Sequence, residues 1–334
     1  MSQPAAARAP DADPPAPDAD PPAPDADPAG ADASDTRPVD VHPVLPADLT
    51  VGPVCRRRVP VRGGTLAVAE IGEPSAPAWV LAHGVGSSAR FVAAAFADAV
   101  VAAGGRLVVH DLRGHGGSVT APDVADHHLD VHVADLAAVV AATAGAVGAA
   151  AGAGQPRGGP AVVGGISLGG HAAVRLVSGG AVTPEVVLAC LPAWTGAATP
   201  GEGPHAAVAA QVAAIGIDGI LAQLRDDRAL AGWLRRTLVT DYARHDPASL
   251  EAALRALDGG DAPNAAELAG LPVPLAVMAW PQDPGHPLAV AERWVALTPR
   301  AALGTVTIGE LEAGVARLGR AAVATVTDLS SVRG

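Results

Sequence analysis

From Val54 onwards, the sequence alternates between short, continuously apolar runs and longer, Ala-rich segments. An apolar run without polar alternation is typical of a strand that is buried on both faces of a parallel sheet. Strands that alternate with helices in this way predict a doubly wound, mostly parallel α/β sheet. The predicted strands are residues 54–62, 65–71, 78–82, 106–110, 160–166, 185–191, 274–280 and 303–308. The predicted helices are residues 89–103, 129–143, 168–178, 287–297 and 310–324.

One segment interrupts this alternation. Residues 200–265 contain no convincing strand pattern but several helical ones, each near an Asp, Pro or Gly that could begin or end a helix. We therefore predict a helical insertion between two strands of the sheet. The core of the fold then comprises residues 51–199 and 266–334.

Residues 1–50 have a different composition, because they are rich in Pro, Ala and Asp and repeat the heptapeptide DADPPAP. Proline cannot donate a backbone hydrogen bond and disrupts helices, so a seven-residue repeat of this kind does not indicate a coiled coil. We predict a disordered acidic tail. The alternative interpretation is a docking segment that recruits a partner protein.

The charge of the chain is also concentrated in this tail. Ten Asp and two Arg give residues 1–50 a net charge of −8, out of −12 for the whole chain. The remainder, at −4, has no excess of basic residues, so we expect no nucleic-acid partner. The N-terminus lacks the apolar run of a secretory signal, and the two cysteines are interpreted as reduced thiols. These features predict a cytoplasmic protein with no membrane partner, and they leave its oligomeric state open.

A G-x-S-x-G pattern, Gly165 to Gly169 around Ser167, lies where a predicted strand meets a predicted helix. Small residues on both sides of the serine permit a strained turn that lifts its hydroxyl out of the sheet, and the helix that follows points N–H groups towards a developing oxyanion. The alternative is an ordinary Gly-rich turn between a strand and a helix.

Three further segments, in the same order along the chain, resemble conserved motifs of the α/β-hydrolase family. They are His83-Gly84-Val85 after the third strand, the D-x-R-G-x-G-x-S segment at 111–118 after the fourth, and the loop at 280–287. The resemblance spans about residues 54–330 and places the helical insertion where this family has its lid.

The resemblance implies a set of site residues. Ser167 would be the nucleophile, and the N–H groups of Leu168 and Val85 would bind the oxyanion. The segment that carries Val85 also contributes His83 and Gly84 to the oxyanion and substrate site, and Asp283 would be the acid of a catalytic triad.

The catalytic histidine departs from the family pattern. The family places it in a Gly-His dipeptide after the last strand, but the chain has Gly309-Glu310 there, and no histidine follows His286. Asp-Pro-Gly-His is a favourable turn that could pair His286 with Asp283, so His286 is the first candidate for the base. In the alternative interpretation, His286 only precedes a helix. The other candidates are His83, His115, His171, His205 and His245.

No cofactor or metal is expected. His127, His128 and His132 include a pair at i and i+4, but no Cys or H-E-x-x-H pattern completes a metal site. Trp194 and Trp233 are the tryptophans predicted to lie near the mouth of the pocket.

The sequence thus predicts a serine hydrolase that cleaves an ester, a thioester or a similar small-molecule acyl compound. The alternative is a protein of the same fold that binds a small ligand without turnover, because the histidine after the last strand is missing.

Overall fold

The computed structural model describes Leu45, Leu49 and residues 51–150 and 159–331. The predictions for the acidic tail therefore fall almost entirely outside the described residues.

Eight strands form one sheet in the order β1-β2-β4-β3-β5-β6-β7-β8. Strands β1 and β2 pair antiparallel, and β2 pairs antiparallel with β4; all other pairs are parallel. From β3 the later strands are added outwards, β4 on one side and β5 to β8 on the other, so the doubly wound, mostly parallel sheet is confirmed. The strands are β1 (Val54–Val61), β2 (Gly64–Ile71), β3 (Ala78–Ala82), β4 (Arg106–His110), β5 (Val162–Ile166), β6 (Val186–Cys190), β7 (Leu275–Ala279) and β8 (Ala301–Thr305).

Helices cover both faces of the sheet. On one face α1 and α9 contribute Phe96 and Leu318 to the core, and on the other α2 and α8 contribute Leu136 and Trp294. Every residue of β3 to β7 is buried, which explains why these segments are apolar without alternation. The helices are α1 (Ala89–Ala102), α2 (Leu129–Ala150), α3 (Leu168–Ser178), α4 (Gly203–Asp226), α5 (Gly232–Tyr242), α6 (Pro247–Arg255), α7 (Ala265–Ala269), α8 (Leu288–Leu297) and α9 (Ala316–Ser331), with 3₁₀ turns at Val124–His127 and Glu310–Ala313.

The last strand and helix differ from the prediction. The strand ends at Thr305 rather than 308, and the helix begins at Ala316 rather than 310. Thr307 and Glu310 make the reciprocal hydrogen bonds of a capping box, a pattern that usually begins a helix. The turn they begin is only a 3₁₀ turn and is followed by Gly314, whose φ is 138°.

Four helices, α4 to α7, lie between β6 and β7. Apolar residues of α4 and α6, including Val212, Leu221 and Leu250, form a separate buried cluster. Helix α4 is broken at Gly216, where φ is 64° and ψ is 179°. By length and composition alone, the segment His205–Asp226 is apolar enough to cross a membrane, with a mean hydropathy of 1.6.

Candidate active site

Ser167 occupies a strained turn between β5 and α3. Its φ of 50° and ψ of −117° lie in a region that costs a non-glycine residue about 1–3 kcal/mol. Two backbone hydrogen bonds hold it there: Ser167 N–H donates to the carbonyl of Cys190 at 2.8 Å, and Ser167 C=O accepts from His171 N–H at 2.9 Å. Such strain is typical of a nucleophile elbow, in which the hydroxyl stands above the carboxyl ends of the strands.

The two glycines of the motif are required by close packing of the backbone. A Cβ on Gly165 would lie 2.4 Å from the carbonyl oxygen of Ala82 and 2.6 Å from the backbone of Gly169. A Cβ on Gly169 would also lie 2.4 Å from the Ala82 oxygen. Neither position can hold a side chain without moving β3 away from the serine turn.

Ser167, His286 and Asp283 form a continuous hydrogen-bonded series. The Nε2 atom of His286 lies 3.0 Å from Ser167 Oγ, and its Nδ1 lies 2.7 Å from Asp283 Oδ2. The side chains of His286 and Asp283 are 19% and 17% exposed, so the pair is shielded but can be reached from solvent. This is the arrangement of a nucleophile, a base and an orienting carboxylate.

The loop after β7 supplies both members of the His–Asp pair. Its turn is closed by His286 N–H, which donates to the carbonyl of Asp283 at 3.3 Å, and Asp283 Oδ1 accepts from Gly285 N–H at 2.9 Å. Burial acts to raise the pKa of Asp283, but the hydrogen bond and charge of His286 outweigh it and hold that pKa below its usual range. The carboxylate is therefore ionised at neutral pH and can support a protonated imidazole.

Glu310 stands after the last strand, at the position where the family has its histidine, and in the described part of the chain it makes no hydrogen bond to Ser167. Glu310 is exposed, and its carboxylate accepts hydrogen bonds from the backbone N–H and the hydroxyl of Thr307, both at 2.8 Å. The described residues thus bring the histidine of the β7 loop, rather than a residue after β8, to the serine.

The segment after β3 passes directly beside Ser167. A Cβ on Gly84 would lie 3.1 Å from Ser167 Cβ, so a side chain here would crowd the serine. The N–H groups of Val85 and Leu168 have no hydrogen-bond acceptor among the described residues. Leu168 is the first residue of α3, where the helix dipole favours negative charge. Both amides are free to donate to an oxyanion.

Three of the other candidate histidines bind backbone amides. His83 Nε2 accepts from Leu112 N–H at 2.9 Å, and His115 Nε2 accepts from Gly86 N–H at 3.0 Å. His245 Nδ1 likewise accepts from Gly116 N–H at 2.9 Å. All three are buried, and burial lowers their pKa values. His83, which was expected in the substrate site, therefore connects the loops after β3 and β4 and does not line the cavity described below.

The remaining two candidates lie closer to Ser167 and Asp283. His171, one turn after Ser167 on α3, accepts from Ala193 N–H through Nε2 at 3.1 Å. His205, at the start of α4, has its Nε2 3.2 Å from the carbonyl of Gly285, in the loop that carries Asp283. Sequence reasoning ranked these residues only as alternative bases and gave no signal for these contacts.

A cavity of about 300 Å³ opens beside Ser167. Its lining includes Ser167, Leu168 and Val85, together with Trp194 and the segment that follows α6. The expectation for Trp194 thus agrees with the structure, but Trp233 lies elsewhere. Trp233 is buried between the rings of Phe91 and Trp280, and its Nε1 donates to the carbonyl of Ile308 at 3.0 Å. Its apolar ring is packed inside the core, away from the cavity.

Of the histidines considered for a metal site, His127 and His132 lie near each other, with ring centroids 5.9 Å apart. His127 is buried and its Nε2 lies 2.8 Å from the carbonyl of Ala121, while His128 is exposed. Among the described residues, no group of three His, Cys, Asp or Glu side chains is arranged to hold a metal ion.

Comparisons with known proteins agree with the fold. Residues 79–324 match the model of the "Alpha/beta hydrolase family". Similar solved structures include a hydrolase from Pseudomonas aeruginosa PA01 (20% identity, TM-score 0.62, covering 83% of this chain and 98% of that one). A second is the enol-lactonase from Burkholderia xenovorans LB400 (20% identity, TM-score 0.60, covering 82% of this chain and 100% of that one). A third is a thermophilic esterase from Thermogutta terrifontis (18% identity, TM-score 0.58, covering 84% of this chain and 100% of that one). No curated protein matches the sequence.

Proposed function

Because the chain belongs to the alpha/beta hydrolase family, we propose that it is a serine hydrolase that cleaves an ester, a thioester or a related acyl bond. The observation that carries this proposal is the hydrogen-bonded series from Ser167 Oγ through His286 to Asp283. A serine hydroxyl is a poor nucleophile unless a base can take its proton, and this series supplies the base.

The proposed reaction proceeds in two halves. Ser167 Oγ attacks the acyl carbon as His286 Nε2 takes the hydroxyl proton, and Asp283 stabilises the resulting imidazolium. The N–H groups of Val85 and Leu168 bind the oxyanion. Collapse of the tetrahedral intermediate breaks the bond to the leaving group, which receives the proton from His286. Water then attacks the acyl-enzyme with His286 as base, and the acid product leaves Ser167 free.

The single loop that carries base and acid is the unusual part of this proposal. Asp283 and His286 are three residues apart, so the turn that closes the loop also fixes their relative geometry. Asp283 therefore has two tasks, because its Oδ2 orients the imidazole while its Oδ1 and carbonyl hold the turn. Loss of the carboxylate should disturb both the tautomer of His286 and its position.

We further propose that residues 200–265 act as a lid over a small-molecule acyl substrate in a cytoplasmic protein. Two observations support a lid. His205 of α4 contacts the loop of the triad, and the segment after α6 forms one wall of the cavity beside Ser167.

A covalent serine probe tests the nucleophile. We expect a fluorophosphonate to label the protein and Ser167→Ala to abolish both labelling and ester hydrolysis, with a loss in kcat of about 10⁴-fold or more. Ser178→Ala, at the end of the same helix, is the matched control and should be labelled like the parent. Equal labelling of Ser167→Ala would refute the proposal. Ligand binding without any hydrolysis would support the alternative, a binding protein.

A further inference from the structure

His171 lies in the wall of the cavity, four residues after the nucleophile on α3, with only 1% of its surface exposed. The rise of a helix over four residues is about 6 Å. A group that contacts this imidazole would therefore lie a few bonds away from an acyl carbon at Ser167.

The hydrogen bonds of His171 determine which nitrogen carries its proton. Nε2 accepts from the N–H of Ala193, which can only donate, so Nε2 is unprotonated. A neutral imidazole carries its one proton on the other nitrogen, Nδ1. Burial, the first cause, and the nearby His286 and His205 lower the pKa of His171 to about 3, so the ring stays neutral. This leaves a buried Nδ1–H that has no acceptor among the described residues.

Trp194 provides a second buried donor in the same wall. Its ring meets that of His171 edge to face, with centroids 5.2 Å apart, and its Nε1 is also buried without an acceptor among the described residues. Trp294 holds the pair in place, because its Nε1 donates to the carbonyl of Trp194 at 3.2 Å and its ring packs on His171. A buried donor without an acceptor costs about 1–3 kcal/mol, and an acceptor on a ligand would remove that cost.

The charges around the cavity select the kind of acceptor. Asp130, Asp258 and Asp261 line the cavity, and no Arg is among its described lining residues. Arg175 is nearby, but it pairs with Asp130, Asp261 and Glu267 and so is outnumbered by carboxylates. A carboxylate on the ligand would be repelled by this wall, whereas a neutral carbonyl, hydroxyl or ether oxygen would not.

We propose that His171 and Trp194 are substrate-binding residues that recognise a neutral oxygen on the acyl chain, a few bonds from the scissile carbonyl. The substrate class is then an oxo-, hydroxy- or alkoxy-acyl compound rather than a plain fatty acyl or a dicarboxylic monoester. This inference rests on the proposed acyl hydrolase activity at Ser167.

Three ethyl esters of matched length test the inference: the pentanoate, the 4-oxopentanoate and the succinate monoester. Titration of the released acid gives kcat/KM for each. We expect the 4-oxopentanoate to exceed both the pentanoate and the succinate monoester by about 10-fold, the effect of one well-formed hydrogen bond. Equal values for the two neutral esters, or a preference for the succinate monoester, would overturn the inference.

Two substitutions assign the preference to the donors. In His171→Gln the side-chain oxygen can still accept from Ala193 N–H, while the Nδ1–H is lost, and Trp194→Phe removes the indole N–H. Each substitution should reduce the ratio of kcat/KM for the 4-oxopentanoate to kcat/KM for the pentanoate about 3-fold or more. Trp233→Phe is the matched control, because its Nε1–H bonds to Ile308 away from the cavity, and it should retain the parent ratio. An unchanged ratio in both His171→Gln and Trp194→Phe would contradict the assignment.

Binding separates a failure of this inference from a failure of the proposed activity. If none of the esters is hydrolysed and the fluorophosphonate does not label Ser167, the hydrolase proposal is wrong. The same esters are then titrated against Ser167→Ala, with tryptophan fluorescence as the readout. Tighter binding of the 4-oxopentanoate than of the pentanoate would still support recognition by His171 and Trp194, and equal binding would refute it.

Discussion

The loops around Ser167 use histidine in two different ways. In the loop after β7, His286 is partly exposed, and both of its ring nitrogens contact side chains, those of Ser167 and Asp283. In the loops after β3 and β4, His83 and His115 are buried and accept hydrogen bonds from backbone amides. Proximity to the serine therefore does not identify a base. The hydrogen-bond partners of the imidazole identify it instead, since an imidazole nitrogen that accepts from a backbone amide cannot take a proton without losing that hydrogen bond.

The largest expected difference between the two regions is in activity. His286→Ala should lower kcat by about 10³–10⁴-fold or more, because Ser167 would lose its proposed base. Ester hydrolysis and unfolding in urea, measured on the same preparation, would show an inactive protein with a free energy of unfolding close to the parent. If His286→Ala retained more than about a tenth of the parent activity, another group would have to serve Ser167.

The buried histidines should make stability fall in mild acid. Their pKa values are lowered in the folded protein, chiefly by burial, whereas an unfolded chain binds protons near pH 6.5. Below that pH the unfolded state binds more protons than the folded one, so the free energy of unfolding falls until the lowered pKa values are reached. The histidines concerned are His83, His110, His115, His127, His132, His171, His205 and His245.

His110 provides the sharpest measurement of this effect. Burial lowers its pKa to about 4, and neither ring nitrogen has a partner among the described residues, so it contributes about 3 kcal/mol to the fall between pH 6.5 and 4. Asp241 acts in the opposite direction, because burial raises its pKa to about 6. Urea unfolding across this pH range should therefore show a net decrease in the free energy of unfolding of the parent and a smaller decrease for His110→Leu. Equal slopes for the two proteins would contradict the burial argument.

A smaller effect is expected at the histidines that bind backbone amides. His115→Ala would leave the buried N–H of Gly86 without an acceptor, at a cost of about 1–3 kcal/mol in addition to the lost packing. His115→Gln keeps an acceptor in reach and should cost less. Thermal or urea unfolding measures both costs. If His115→Ala lost as much activity as His286→Ala, the distinction between the two groups of histidines would be wrong.

Much of the fold could be predicted from short segments. Five apolar strands are buried throughout, so their composition alone reveals them, and the elbow around Ser167 follows from two glycines with no room for a Cβ. The start of the last helix cannot be read from the sequence, because the capping pattern at Thr307 is followed by one 3₁₀ turn rather than a long helix. The position of Trp233 in the core, rather than at the mouth of the pocket, is also not predictable, since the sequence of an amphipathic helix does not show which apolar ring enters the core.

The doubly wound sheet, the serine turn and the short Asp-Pro-Gly-His loop all follow from the amino-acid sequence. Each of these depends on interactions between near neighbours: hydrophobic periodicity, glycine geometry and turn chemistry. By contrast, the histidine that meets Ser167 is known from the folded structure, because His286 lies 119 residues further along the chain. The sheet brings the ends of β5 and β7 together, and a contact of that kind depends on the packing of the whole fold.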